Sequence, residues 1–437
     1  MTRLPARTLY ICRTAATLSP FGDPVGQSQV MLETLEQTQQ RAARRFGLDP
    51  VVVERPSQAA ERPCLLTTDA VYFSERALGT FLAQLARQPG GAAAALARCV
   101  SVEHALPLQD VRLEDWDGPG ARAVYDLWYV PEGPLPDSAA ELRAALDPRC
   151  PPRILPMKER VIPLRLPTLM EEERILKYPL TSTVIAHVSH WTHLLWLAQL
   201  SLGVAGMEYF RAHRLRSIGK LLWAFLRRFS LNRYRLLSGL NVVGAGSRIH
   251  PTAYLEASLI GQNVQVGAGA CIRNSLVGDG VIVGDHAVVI NSVVGRDCYL
   301  TDRFFLASSL CYPGSTLGNV RTQMAVIGRD VYLHGWCGLL DAKFIGDIKV
   351  MHRGRMEGTG RSFLASCIGH RAVLGAKVLI HPGREIPNDL LLVSRPEDVI
   401  AEVPPDIPPR TPMVRDQGTL VPLSSLKPAG RSDRGSA

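Results

Sequence analysis

The sequence predicts a left-handed parallel β-helix of hexapeptide repeats, preceded by an N-terminal α/β region, with a helical insertion between the two. Two observations carry this. From Val242 onward, aliphatic residues recur in trios: Ile260, Val266 and Ile272, then Val277, Val283 and Val289, then Val294, Leu300 and Leu306. Members of a trio stand six apart, and one five-residue step separates consecutive trios. Ahead of the repeat, the thirty residues from Tyr178 to Met207 contain no Asp, Glu, Lys or Arg, and a strongly basic stretch follows them.

A period of six fits neither the 3.6 of an α-helix nor the 2 of a half-buried strand. It fits a triangular coil of about 18 residues in which each side sends one aliphatic residue inward, so that stacked coils bury a continuous apolar column. Gly261, Gly267, Gly278, Gly284 and Gly295 follow the aliphatic positions and permit tight corners. The repeat runs cleanly to Leu306, returns at Val326-Ile327-Gly328, breaks around 346–360 and resumes over 367–387. About seven coils over 240–400 are expected. The charged, Gly-rich interruption should loop out of a coil, as a tolerated surface insertion or as a loop reaching a ligand or a neighbouring subunit.

Residues 1–170 read as the α/β region. Cys64–Phe73 is an expected buried strand ending at Asp69, 74–88 a helix with Ser74 as N-cap, and 123–131 another strand. Residues 171–239 form the apolar and basic segment. The apolar half is long enough to span a bilayer, but its three histidines and its Ser, Thr and Gln favour a helix buried in protein. The basic half, 211–235, has eight Lys/Arg and no acid, with Ile218, Leu221, Leu222, Phe225 and Phe229 on one helical face. Such a helix suits an anionic membrane surface or a cap on the β-helix. Residues 401–437 are proline-rich and are expected to be a poorly ordered tail after about 405.

Net charge is +9 with a pI near 9.2, which directs attention to an acidic partner. The basic residues of 211–235 alternate with an apolar stripe rather than with stacking aromatics, which argues against nucleic acid. The nine cysteines include no CxxC pair, so neither a disulfide framework nor a zinc ribbon is indicated. Residues 1–24, with Arg3, Arg7 and Arg13, lack the apolar core of a secretory signal. A cytoplasmic setting is expected, with a peripheral position on the inner membrane face as a variant of it.

Candidate chemistry rests mainly on histidines. His187, His190 and His193 fall at i, i+3 and i+6, an arc too wide for all three to share one ion, and no HExxH accompanies them. They read as structural, and no structural metal is expected. Within the repeat, His250, His286, His334, His370 and His381 are candidates for a general base. His334 stands out beside Gly335 and Cys337, with Asp341 as a potential orienter. A γ-class carbonic anhydrase needs two closely spaced histidines on one coil, and that pair is absent. Asp69 closes an LLTTD strand where a carboxylate can hold Mg²⁺ beside nucleotide phosphates. No Gly-rich phosphate loop precedes it.

The segments 327–346 and 358–383 resemble the C-terminal β-helix of bifunctional sugar-1-phosphate nucleotidylyltransferase/acetyltransferases, within the hexapeptide-repeat acyltransferase superfamily. Ala325-Val326-Ile327-Gly328, Thr359-Gly360, Leu364-Ala365, Gly369 and Pro382-Gly383 match that pattern in order. The resemblance implies a homotrimer, acetyl-CoA or another acyl donor, and a sugar-nucleotide or glycoconjugate-precursor acceptor. It also relates 1–170, weakly, to a reduced nucleotidyltransferase domain. Two departures stand out. Gly318 or Asn319 stands where the family's acetyl-transfer histidine lies, and the family's GAG turn is here His334-Gly335-Trp336-Cys337. Catalysis would then pass to His334 or His370, with Asp341 orienting and Gly335, Cys337, Gly369 and Gly375 lining the donor. Two other readings stay open: a non-catalytic scaffold held at a membrane by 178–235, and nucleotide binding by 1–170.

Overall fold

The computed structural model describes residues 5–118, 120–165, 175–212 and 240–395, together with parts of 397–425. The chain from Val242 winds as a left-handed parallel β-helix with three long sheets of eight, eight and five strands, each strand pairing in parallel with its equivalent one coil later. Inward aliphatics from all three sides, including Ile260, Val266 and Ile272, form one buried column that ends at Ile386. Eight strands in the first sheet give one more coil than the seven expected.

The coil is also shorter than 18 residues. First-sheet strands begin at 242, 259, 276, 293 and 310, a step of seventeen. The missing residue is lost at the third corner, where the five-residue step between consecutive trios falls. There a residue with positive φ (Ala257, Asn274, Asn291, Ser308) is followed by a buried serine (Ser258, Ser275, Ser292, Ser309). Asn tolerates the left-handed region better than most residues. Each serine hydroxyl donates to the carbonyl two residues back and accepts an N–H from the next coil, as when Ser275 Oγ donates to Arg273 O (2.7 Å) and accepts from Ser292 N (3.2 Å). The repeated Asn-Ser pairs of 274–275 and 291–292 were the available signal. Replacing Ser275 with Ala strips the Ser292 N–H of its acceptor in a dry corner and is expected to cost about 1–3 kcal/mol. Urea unfolding measures this; an unchanged midpoint would show that the ladder is dispensable.

In the N-terminal region, Thr8–Cys12 lies between Asp49–Val53 and Cys64–Thr68, parallel to both. Arg122–Val130 then runs antiparallel between Cys64–Thr68 and Ala92–Ala97, and Pro152–Ile154 adds to the far edge. Ser74 caps the helix Glu75–Arg87 as expected, and Thr34 with Gln37 forms a capping box on Leu35–Arg45.

The charge-free segment is divided. Ile175–Thr181 pairs with Glu159–Arg165, Ile185–His187 pairs with Val71–Phe73, and a helix follows at Trp191–Ala212. Trp191, Leu194, Leu195, Trp196, Leu197, Leu200 and Leu202 are all buried, in one cluster with Val293, Leu310 and Val326 from the outer face of the first sheet. That explains why this sheet reads as apolar pairs (Val293-Val294, Leu310-Cys311, Val326-Ile327): one member faces the column and the other faces the helix, and strands covered on both sides need apolar residues on both. Each such side chain contributes roughly 1.5–3 kcal/mol by burial. Among the described residues no helix is long and apolar enough to cross a membrane. The expectation for 211–235 falls almost wholly on residues outside those described.

The interruption at 346–360 is a hairpin, Lys349–His352 with Arg355–Gly358. It turns back on the N-terminal region: Ile348 and Val350 join the shared cluster, and Arg361 stacks over Trp196 at 4.8 Å. Within the region expected as a tail, one short hairpin is described. Met413–Asp416 pairs with Thr419–Pro422, Val414 opposite Val421, because the prolines cluster before the hairpin and Pro422 sits at its end, where no ladder N–H is lost.

Candidate active site and the interdomain contact

The carboxyl ends of the parallel strands in the N-terminal sheet are filled by the chain itself. Asp69 follows Thr68, one residue beyond the strand, and is 2% exposed. Its Oδ1 accepts from Thr14 N (3.0 Å) and Thr14 Oγ1 (2.7 Å), and a side chain at Gly26 would meet the Asp69 Cβ at 3.1 Å. Burial pushes the carboxyl above its ordinary value, against the hydrogen bonds from Thr14. Buried against Gly26 and bonded to Thr14, Asp69 closes a strand-end turn in this structure.

The segment that covers Asp69 also fastens the two halves of the molecule. Phe21 stacks on the ring of His370 at 4.6 Å and on Tyr312 at 5.2 Å. Arg329 donates to both Asp23 oxygens at 2.9 Å. His370 is 1% exposed. Its Nδ1 accepts from Arg329 N (2.8 Å), so the proton sits on Nε2 and is donated to Asp23 Oδ2 (3.1 Å). Burial pushes the Asp23 carboxyl up, but the bonds from His370 and then Arg329 outweigh it and hold the group below its usual value. With both nitrogens occupied and no solvent access, His370 is an interdomain clamp rather than a base for a substrate. Gly369 beside it is a packing requirement, since a Cβ there would lie 2.6 Å from Asn388 N and Ile386 O of the next coil.

The expected helix around the three histidines is not formed: His187 ends the strand Ile185–His187, His190 precedes the helix and only His193 lies on it, each held by hydrogen bonds within the protein. His193 Nδ1 accepts from Ser189 N and His190 N, capping the start of the helix, and its Nε2 donates to Pro107 O; burial pushes its pKa down to about 3, so it stays neutral. His190 Nδ1 accepts from Thr192 N, and its Nε2 donates to Met351 O in the hairpin. His187 Nε2 accepts from Asp126 N. Among the described residues no cluster of three or more metal-ligating side chains exists.

His334 lies in a different environment. It is exposed, at the corner between the second and third sheets, where the coils stack His334 on Leu374-Gly375 (His334 N to Leu374 O, 2.8 Å) and beneath Gly318 (Gly318 N to Leu333 O, 2.7 Å). The His334 Nδ1 faces Gly335 O at 2.9 Å. A carbonyl only accepts, so Nδ1 carries the proton and Nε2 presents its lone pair outward. The orienter is therefore the Gly335 carbonyl and not Asp341. Asp341 is half-buried, its carboxyl is pushed up by burial, and its backbone carbonyl accepts from Leu364 N. Cys337 turns inward: its side chain belongs to the apolar column and burial raises its thiol to about 11. Gly335 is open, its missing Cβ meeting only Asn319 N at 3.8 Å, while Gly375 sits 3.1 Å from Leu392 O by the same measure. The structure thus brings His334, Gly335 and Gly375 together and places Gly369, His370, Asp341 and the Cys337 side chain elsewhere. It adds Trp336, which the sequence reading quoted without weighing. Trp336 is 80% exposed with φ +70°, a strained conformation for an aromatic residue.

These features define a hexapeptide-repeat β-helix docked through a buried helix onto an α/β region; besides His334, the candidates His250, His286 and His381 are also exposed, with His250 Nδ1 tied to Thr252 Oγ1 and His381 Nδ1 facing Pro382 O. Residues 237–353 match the family model described as the GMPPB C-terminal domain, a stretch well under half of the chain. Among solved structures the chain is similar to the acetyltransferase domain of PglB from Neisseria gonorrhoeae, at 23% identity and a TM-score of 0.15, over 33% of this chain and 53% of that one. It is also similar to the polysialic acid O-acetyltransferase OatWY, at 18% identity and a TM-score of 0.16, over 37% and 77% of the two chains. A third similarity is to a histidine-to-alanine mutant of GDP-perosamine N-acetyl transferase from Caulobacter crescentus, in complex with CoA and GDP-perosamine. It stands at 20% identity and a TM-score of 0.11, over 35% and 54%. The chain spans about half the length of the PglB domain. At these scores the similarities carry no functional weight. No curated protein matches the chain.

Proposed function

We propose that the protein is an acyltransferase of the hexapeptide-repeat type, with an acyl-CoA-type donor and a sugar-nucleotide or glycoconjugate-precursor acceptor. The observation that carries this reading is His334, exposed on an otherwise regular corner with its tautomer set so that Nε2 can take a proton. The registers Thr316 to Tyr332 and Leu317 to Leu333 put His334 directly beneath Gly318, where the resembled family's histidine is missing. The base is thus displaced by one coil, about 4.8 Å along the axis. Gly335 leaves the backbone bare beside His334 for a thioester to approach, while Gly375 on the next coil is packed against Leu392 O and Val393. Trimerisation, if it follows the resemblance, would wall this corner with a second copy.

In the reaction, Nε2 of His334 accepts the proton of the acceptor amine or hydroxyl as that group attacks the thioester carbonyl. The C–S bond then breaks and the thiolate leaves with a proton returned to it. A thiol-release assay across acyl-CoA donors, with UDP- and GDP-sugars as acceptors, tests the reading; acceptor-dependent release supports it, and no release from any pair opposes it. The scaffold reading loses one support, because the apolar half of 178–235 is buried in protein. The nucleotide reading of 1–170 rests on an Asp69 that is buried and bonded to Thr14.

A further inference from the structure

The exposed large apolar side chains of the β-helix concentrate at one end. Trp336 and Ile345 are each 80% exposed, Phe344 72%, Val393 70%, Leu379 68% and Leu391 64%. Trp336, Leu379, Leu391 and Val393 stand on the last three coils, and Phe344-Ile345 follow the strand Gly338–Leu339 at the start of the insertion. Trp336 O accepts from Lys377 N, Leu379 packs over Gly338, Leu391 pairs with Val373, and Val393 lies against Gly375. A patch of this kind on a folded domain marks an interaction surface.

We propose that this end of the β-helix docks on an anionic lipid surface. Cations accompany each part of the patch: Lys343 precedes Phe344-Ile345, Lys377 abuts Trp336 and Leu379, and Arg395 follows Val393. Lys343 Nζ donates to a carbonyl, Asp347 O, and not to a carboxylate, so its charge is not cancelled there; Arg395 is partly offset by Glu397 at 3.4 Å. Lysine is depleted from protein–protein interfaces but draws close to acidic headgroups. Tryptophan and aliphatic tips beside lysine are what a headgroup boundary accepts. The strained turn at Trp336 holds the largest of these tips clear of the coil. This placement is independent of turnover, and it sets the His334 corner against the lipid boundary, so that a lipid-linked acceptor or donor would arrive from the membrane.

Flotation of the full chain with phosphatidylcholine vesicles, with and without phosphatidylserine, tests the proposal. Binding is expected only with phosphatidylserine, and it should weaken with salt. Two variants probe the patch: Trp336→Asn with Ile345→Ser, where Asn suits the left-handed backbone, and Lys377→Glu. Each should lower affinity by at least about tenfold. A wild-type chain that does not float, or variants that float as well as wild type, would overturn it. So would a variant that changes the oligomeric mass while the wild type ignores lipid, since the patch would then be an interface between copies.

Discussion

Replacing His334 with alanine is expected to lower acyl transfer by about 10²–10⁴-fold, the usual contribution of a positioned general base. The side chain is exposed and, among the described residues, its one hydrogen bond runs to the next residue's carbonyl, so the fold should be unaffected. Urea unfolding and acyl-donor binding serve as controls, and both should match the wild type. His370→Ala should behave in the opposite way, losing stability rather than acting first on chemistry. Unchanged turnover in the His334 variant would remove that residue from the mechanism.

The second large effect concerns the clamp. Asp23→Ala leaves the His370 Nε2–H buried without its acceptor and Arg329 without its bidentate partner. Removing one member of a fully buried ion pair costs about 3–5 kcal/mol; Asp23 keeps some solvent contact, so about 2–3 kcal/mol is expected. The pH dependence has a definite sign. The Asp23 carboxyl is held below its ordinary value of 3.8, so its contribution is complete above that pH and is lost as pH falls through the folded value. Acid unfolding followed by tryptophan fluorescence should show the loss below about pH 4. Asp23→Asn should flatten that arm. An acid arm identical in the variant would assign the stability to other groups.

Much of the β-helix was legible because its column imposes a strict period: one inward aliphatic per side survives any change on the surface. The five-residue step already marked the short corner, but the serine ladder that closes it depends on contacts between coils that no local pattern displays. The fate of His370 could not be read from local sequence at all. His370 and His334 both sit at coil corners in similar Gly-containing contexts. What separates them is Asp23, 347 positions away in the chain, which caps one and not the other. The helix Trp191–Ala212 shows the same limit. The lack of charge from Tyr178 to Met207 announced burial, but whether in lipid or in protein was decided by the apolar outer face of the first sheet, which belongs to another part of the chain.

The central claim is that the corner formed by His334, Gly335 and Gly375 receives an acyl donor. Isothermal titration of acetyl-CoA into the full chain, with and without a UDP-sugar, tests this most directly. Binding at micromolar strength is expected, and Gly375→Leu should weaken it, because that side chain would crowd the corner from the next coil. No binding by a folded sample to acetyl-CoA or to a longer acyl-CoA would contradict the claim.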